Sequence, residues 1–321
     1  MRQLSDVFIK DLKAADGILH PLLERITQDD TLMLAVRAGY INVYYRGGNL
    51  LRVSSKGAGG YPVFFDVNYD TFGRTLPVAL PPPVIASAAD ARAWVGAFAY
   101  LKELMDLYFS RYSKPEREFQ QLLVRENNGS TISNYTEYFI SDIEFADAAP
   151  GARFRFDLLG IRWLASGRKD GTRCRAALME MKYGDNALGG SAGLLKHLED
   201  IAALVADGGR YRALVETMES QFNQLDELGV LRFNHCANGT QVRLSADDRP
   251  EVIFILANHN PRSAKLATVL DDPKVVALGQ SEQFDLRFFV SSFAGYGLHA
   301  DCMLTLTAFR ALLKGSGGKS A

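Results

Sequence analysis

Asp157 lies in one apolar run, Phe156-Asp157-Leu158-Leu159, and Glu180 and Lys182 lie in another, Leu178-Met179-Glu180-Met181-Lys182. The polar stretch Ser166 to Thr172 between them has the composition of a hairpin loop. Side chains two apart on a strand share a face, so Glu180 and Lys182 point one way and Met179, Met181 and Tyr183 the other. On the preceding strand Arg153, Arg155 and Asp157 share a face, opposite Phe154 and Phe156. Antiparallel pairing of the two strands brings Asp157 beside Glu180. Two adjacent carboxylates repel unless something positive sits between them. A hard divalent cation meets that need, because Mg2+ takes one or two carboxylates and keeps several waters. Such an ion polarises a phosphoryl oxygen and makes a bound water acidic. Lys182 is then placed to orient or deprotonate that water or to offset charge on the phosphorane, and the Met181 carbonyl to add a ligand. Arg153 and Arg155, on the face of Asp157, are candidate phosphate contacts.

The same residues have a plainer reading. Alternating strands commonly carry solvent-exposed ion pairs, and Glu180 with Lys182 fits that description. Against it, Ala176 to Met179 is almost wholly apolar, which is the pattern of a central strand. A buried acid and lysine there are costly without a purpose. The basic hairpin Arg168 to Arg173 reads first as a turn and second as a phosphate clamp. Tyr40 to Tyr45 reads first as a core strand and second as a base-stacking surface. Asn258-His259-Asn260-Pro261 is turn chemistry, and Gly295-Tyr296-Gly297 a tight bend. No Gly-x-Ser-x-Gly is present, which disfavours a hydrolase built on a nucleophile elbow.

The elements that must position these residues follow from the apolar patterning. A short helix is expected over 18–28, then an antiparallel meander over 30–68 with turn chemistry at Gly47-Gly48-Asn49. Leu76 to Pro83 carries four prolines and is a stiff connector. Helix returns over 87–112, and Ser113, Pro115 and Glu116 read as a capped start of the next helix, closed by Asn127-Asn128-Gly129. Strands are expected at 138–145, 153–164 and 175–183, with an Ala149-Pro150-Gly151 turn between the first two. Helices follow at 194–206 and 211–228, strands at 252–257 and 285–292, and a terminal helix at 303–314. The order predicts an α/β fold, a mixed central β-sheet flanked by helices with an N-terminal β-rich antiparallel region. The expected divisions are a β-rich region 1–83, a helical connector 84–112, a catalytic domain with C-terminal extension 113–314 and a flexible tail 315–321.

Composition sets the frame. The 321 residues are 47% hydrophobic and 23% charged with a net charge of −1, which excludes binding of nucleic acid by bulk positive charge. Cys174, Cys236 and Cys302 lack metal or redox spacing, as do the five histidines, so a reducing cytoplasm is the expectation. The N-terminus is charged where a signal peptide needs an apolar run. No segment is apolar for long enough to span a bilayer, so no membrane partner is expected.

Asp157, followed on an adjacent strand by Glu180-Met181-Lys182 and preceded by a helix carrying an acid, resembles the PD-(D/E)xK nuclease superfamily over about residues 113–206. The resemblance implies a restriction-endonuclease-like core, with Asp157 and Glu180 holding Mg2+ (or Mn2+) and Lys182 assisting the attacking water. It maps the family's helical acid onto Glu118, with Glu116 competing as a cap and Glu126 as a further candidate. Two departures stand out: no proline precedes Asp157, and the RecB-type Gln-x-x-x-Tyr signature is missing. Lys196 and His197 sit about where that signature would act and are candidate nucleic-acid contacts. The implied activity is Mg-dependent endo- or exonuclease cleavage, of DNA first, in bacterial antiphage defence or DNA repair. Dimerisation would let two sites cut both strands. The alternative is a nuclease-fold scaffold or partner-dependent subunit that binds a protein or nucleic acid without autonomous cleavage. The near-neutral charge favours it, since an autonomous DNA binder usually carries a basic domain.

Overall fold

The computed structural model describes residues 2–71, 79–147, 154–233, 241–260, 264–291 and 295–316. Pro77, the Ala149-Pro150-Gly151 turn, Arg153, Cys236, Pro261 and the tail beyond 316 lie outside the described residues. The fold is α/β, with two five-stranded sheets. Two compact units share the chain: Met1–Ser130 with Ser220–Arg232, and Thr131–Glu219 with Phe233–Ala321.

The first unit opens with two helices, α1 (Asp6–Lys13) and α2 (His20–Gln28). Five strands follow in sequence order as an antiparallel sheet: β1 (Leu32–Val36), β2 (Tyr40–Tyr45), β3 (Gly48–Ser54), β4 (Tyr61–Phe64) and β5 (Val84–Ile85). The turn between β2 and β3 is Arg46-Gly47, one residue earlier than the turn chemistry suggests. Both residues are left-handed, with φ of 49° and 72°, as a two-residue hairpin matched to strand twist requires. The aromatics of β2 are already employed. The Tyr44 hydroxyl accepts from Arg37 and Asn42, and that of Tyr45 donates to Asp106. A base-stacking role for this strand gains no support.

Helices α3 (Ala88–Arg111) and α4 (Pro115–Val124) follow. Ser87 and Asp90 form a full capping box for α3. For α4 the expectation needs correction. Pro115 is the first helical residue, which makes Lys114 the cap position and leaves Ser113 one residue too early to bond the first turn. The first unit runs through α4 to Ser130, and the segment near 112–113 lies inside it.

In the second unit the strand order is β10-β9-β8-β7-β6. The strands β6 (Tyr138–Ala146), β7 (Arg155–Arg162) and β8 (Arg175–Tyr183) form an antiparallel meander. The strands β9 (Glu251–Ala257) and β10 (Asp285–Val290) continue the sheet parallel to β8. This makes β8 central and explains its composition: a strand buried on both faces reads as an unbroken apolar run. Helix α5 (Leu194–Ala206) lays Leu194, Leu198, Ile201 and Leu204 on the sheet face formed by Leu178, Phe254 and Leu256. Helix α6 (Gly208–Glu227) follows, and its residues from Ser220 onward belong to the first unit. Two short helices, α7 (Ala264–Leu270) and α8 (Pro273–Leu278), make the crossover from β9 to β10 that parallel pairing requires. The chain ends in α9 (Leu306–Ser316). Among the described residues no helix is long and apolar enough to cross a membrane.

Candidate active site at the carboxyl end of the central strand

The ladder between β7 and β8 ends at Leu158↔Met179. One step further, in the same register, stand Asp157 and Glu180. Here the strands part, and the backbone N–H of Met181 donates to Asp157 Oδ2 at 2.9 Å, so a side chain takes the place of the next ladder bond. Phe156 and Leu159, three apart on β7, both reach one core cluster, and the register of β6 against β7 shifts between Ile140 and Asp142. Glu144, opposite Asp157 on β6, has a φ of 48°, uncommon for a residue other than glycine. The fork opens at the carboxyl ends of the parallel strands β8 and β9, where open α/β sheets bind their ligands.

Glu180 is 1% exposed and Lys182 4%, and Asp157 is half-buried. Lys182 Nζ lies 3.5 Å from Glu180 Oε2, and His197 Nδ1 lies 2.9 Å from the same oxygen. These are ion-pair distances; among the described residues no donor reaches either Glu180 oxygen with hydrogen-bond geometry. Burial pushes Glu180 up to about 7, against the pull of Lys182. Asp157 is pushed up to about 8, first by burial and next by the Glu180 charge, with the Met181 N–H and Lys182 opposing. Burial and mutual repulsion together favour a proton held by the pair. Two acids this close do not both ionise unless a cation replaces that proton.

Asp157 and Glu180 are the pair that could hold such a cation, and the two buried Glu180 oxygens without a donor are the observation that fits it. Among the described residues no three His, Cys, Asp or Glu side chains form a metal-holding group. A pair of carboxylates suits an ion that keeps waters and takes substrate oxygens, as Mg2+ does. At Met181 the contact made to the acid pair is through its N–H.

Glu118 is on α4, in the first unit, and its carboxylate is 2.9 Å from Arg46 Nη2. Arg155 is exposed, and Arg153 is outside the described residues. Lys196 pairs along its own helix with Asp200. His197, expected on nucleic acid, is instead against Glu180. Its signal was in the sequence: with α5 starting at Leu194, position 197 falls on the buried stripe of Leu194, Leu198 and Ile201. Ala192, whose carbonyl is 3.4 Å from Lys182 Nζ, left no such signal. The hairpin 168–173 is not beside the site. It joins the far ends of β7 and β8, five residues or roughly 17 Å from Asp157. Its Arg168 guanidinium donates to the carbonyls of Asn134 and Thr136 and covers Phe139.

No family model, curated protein or solved structure matches the chain.

Proposed function

We propose that this protein is a metal-dependent nuclease of the PD-(D/E)xK type that hydrolyses phosphodiester bonds, with DNA as its substrate class. The observation that carries the reading is the meeting of Asp157, Glu180 and Lys182 where β7 and β8 part. A divalent cation, when bound, would polarise the phosphoryl oxygen and acidify the attacking water. Asp157 and Glu180 would hold it. Lys182 Nζ, kept beside Glu180 and the Ala192 carbonyl, would orient the water and offset charge developing on the phosphorane.

The test is cleavage of linear, circular and single-stranded DNA, and of RNA, with Mg2+ or Mn2+. Metal-dependent cutting is expected from the wild type, falling at least about 100-fold in Glu180→Ala and Lys182→Ala, as when a positioned transition-state group is removed. Cutting that survives both substitutions would overturn the assignment.

A second reading has its own support. Glu180 and Lys182 are almost fully buried, and the net charge is −1. Both favour a nuclease-fold subunit that needs a partner to open the site or to supply the basic surface. Wild-type protein that binds metal yet cuts nothing alone supports this second reading.

A further inference from the structure

We infer that the first turn of α5 is the positioning element of this site, and that His197 is the residue that fixes Glu180 for a divalent cation. The inference rests on the metal-site reading above and adds to it a residue outside the acid–lysine motif. It starts from two contacts made by one short segment. His197 Nδ1 is 2.9 Å from Glu180 Oε2, and the Ala192 carbonyl is 3.4 Å from Lys182 Nζ. Both functional side chains of β8 thus end on residues 192–197.

The segment is built to stay in place. A Cβ on Gly193, the residue before α5, would come within 2.7 Å of the Gly189 backbone and of the Leu188 carbonyl, so the loop is folded tightly on itself. Its amide bonds the Gly190 carbonyl, and its own carbonyl accepts the first helical bond, from the His197 N–H at 3.1 Å. Beyond it Leu194, Leu198 and Ile201 anchor the helix in the core. Helical side chains lean toward the N-terminus, and His197 therefore reaches back onto Glu180.

A carboxylate with a free torsion is a poor ligand, and partners that orient a ligand are worth a large part of a metal site's affinity. His197 Nδ1 stands 2.9 Å from Oε2 as an ion-pair partner, while neither Glu180 oxygen has a described donor in hydrogen-bond geometry, which leaves Oε1 for the cation beside Asp157. His197 is a positioning residue and not a ligand, since Asp157, Glu180 and His197 do not form a metal-holding group.

The test is titration calorimetry of Mn2+ into the full chain, with thermal melts to confirm folding. His197→Leu removes the ring nitrogens while suiting the apolar stripe, His197→Ala is a second deletion, and His197→Asn returns an N–H. Mn2+ affinity is expected to fall on the order of 10–100-fold in the Leu and Ala variants and to recover in the Asn variant. The Mn2+ concentration for half-maximal cleavage should rise by the same factor, with kcat at saturating metal changing far less. Wild-type affinity in His197→Leu overturns the inference and leaves the metal site standing. A wild type that binds no Mn2+, or binds it as well after Asp157→Ala, overturns the metal site itself and the inference with it.

Discussion

At the scale of residues, the acid pair is defined by what burial does to it. Burial, joined at Asp157 by repulsion from Glu180, pushes Asp157 up to about 8 and Glu180 up to about 7, against about 4 for carboxyls in an unfolded chain. The folded state therefore binds more protons than the unfolded one across that range, and stability falls as pH rises through it. In EDTA, the melting temperature should be highest below about pH 5 as far as this pair is concerned, and should decline toward pH 8. Bound Mg2+ replaces the proton, so the rise in Tm it causes should be larger near pH 8 than near pH 6. Asp157→Asn should flatten the metal-free decline and remove most of the Mg2+ effect. Thermal melts over pH with EDTA or Mg2+ read both, and a metal effect independent of pH would mean that proton and cation do not compete for the pair. His197, Lys182 and the Met181 N–H set the balance at this scale. Lys182 was legible from spacing and His197 from the stripe of α5, whereas the Met181 contact depends on where β7 leaves the ladder.

At the scale of elements, the sequence signals that succeeded were local ones. Strand β8 was readable to the residue because both its faces are apolar, and α5 because its stripe is regular. Helices α7 and α8 were missed. With seven and six residues they are too short to show a 3.6-residue period. The parallel pairing of β8, β9 and β10 was equally invisible, since partner choice is not written in any one strand. The helix α4 shows the same limit differently. The helix itself was legible, but the residues it buries are Gln120, Gln121, Leu123 and Val124, with Phe119 and Leu122 only half-buried. Glu118 was expected at the catalytic centre, and it is instead engaged with Arg46, which also pairs with Asp106. Glu118→Gln is accordingly expected to keep cleavage within about threefold of the wild type. It should cost less than about 1 kcal/mol of stability, the usual worth of a partly exposed ion pair. A loss comparable to that of Glu180→Ala would restore Glu118 to the catalytic set.

At the scale of the whole molecule, the chain does not divide where its composition suggests. The proline-rich stretch near 80 lies within the first unit, and that unit is finished by residues 220–232, some ninety positions after its apparent end. The polar contacts of that returning segment are specific. The Gln224 amide bonds both the N–H and the carbonyl of Leu4, at 2.8 and 2.9 Å. Gln221 Nε2 donates to the Val36 carbonyl at the end of β1, and the Arg232 N–H to the Asn128 carbonyl. A fragment of residues 1–130 keeps both helices, the whole sheet, α3 and α4, yet loses every one of these partners. It also loses the apolar cover of Phe222, Leu225 and Leu228, all buried. Leaving buried backbone groups without partners costs about 1–3 kcal/mol each, against a total stability of about 5–15 kcal/mol for a domain. The fragment is expected to melt without a cooperative transition, or far below the full chain, when followed by circular dichroism. In the full chain Gln221→Ala should lower stability by about 1–3 kcal/mol. A fragment that melts as sharply and as high as the full chain would show that the first 130 residues fold as an independent domain, with 220–232 resting on a finished surface.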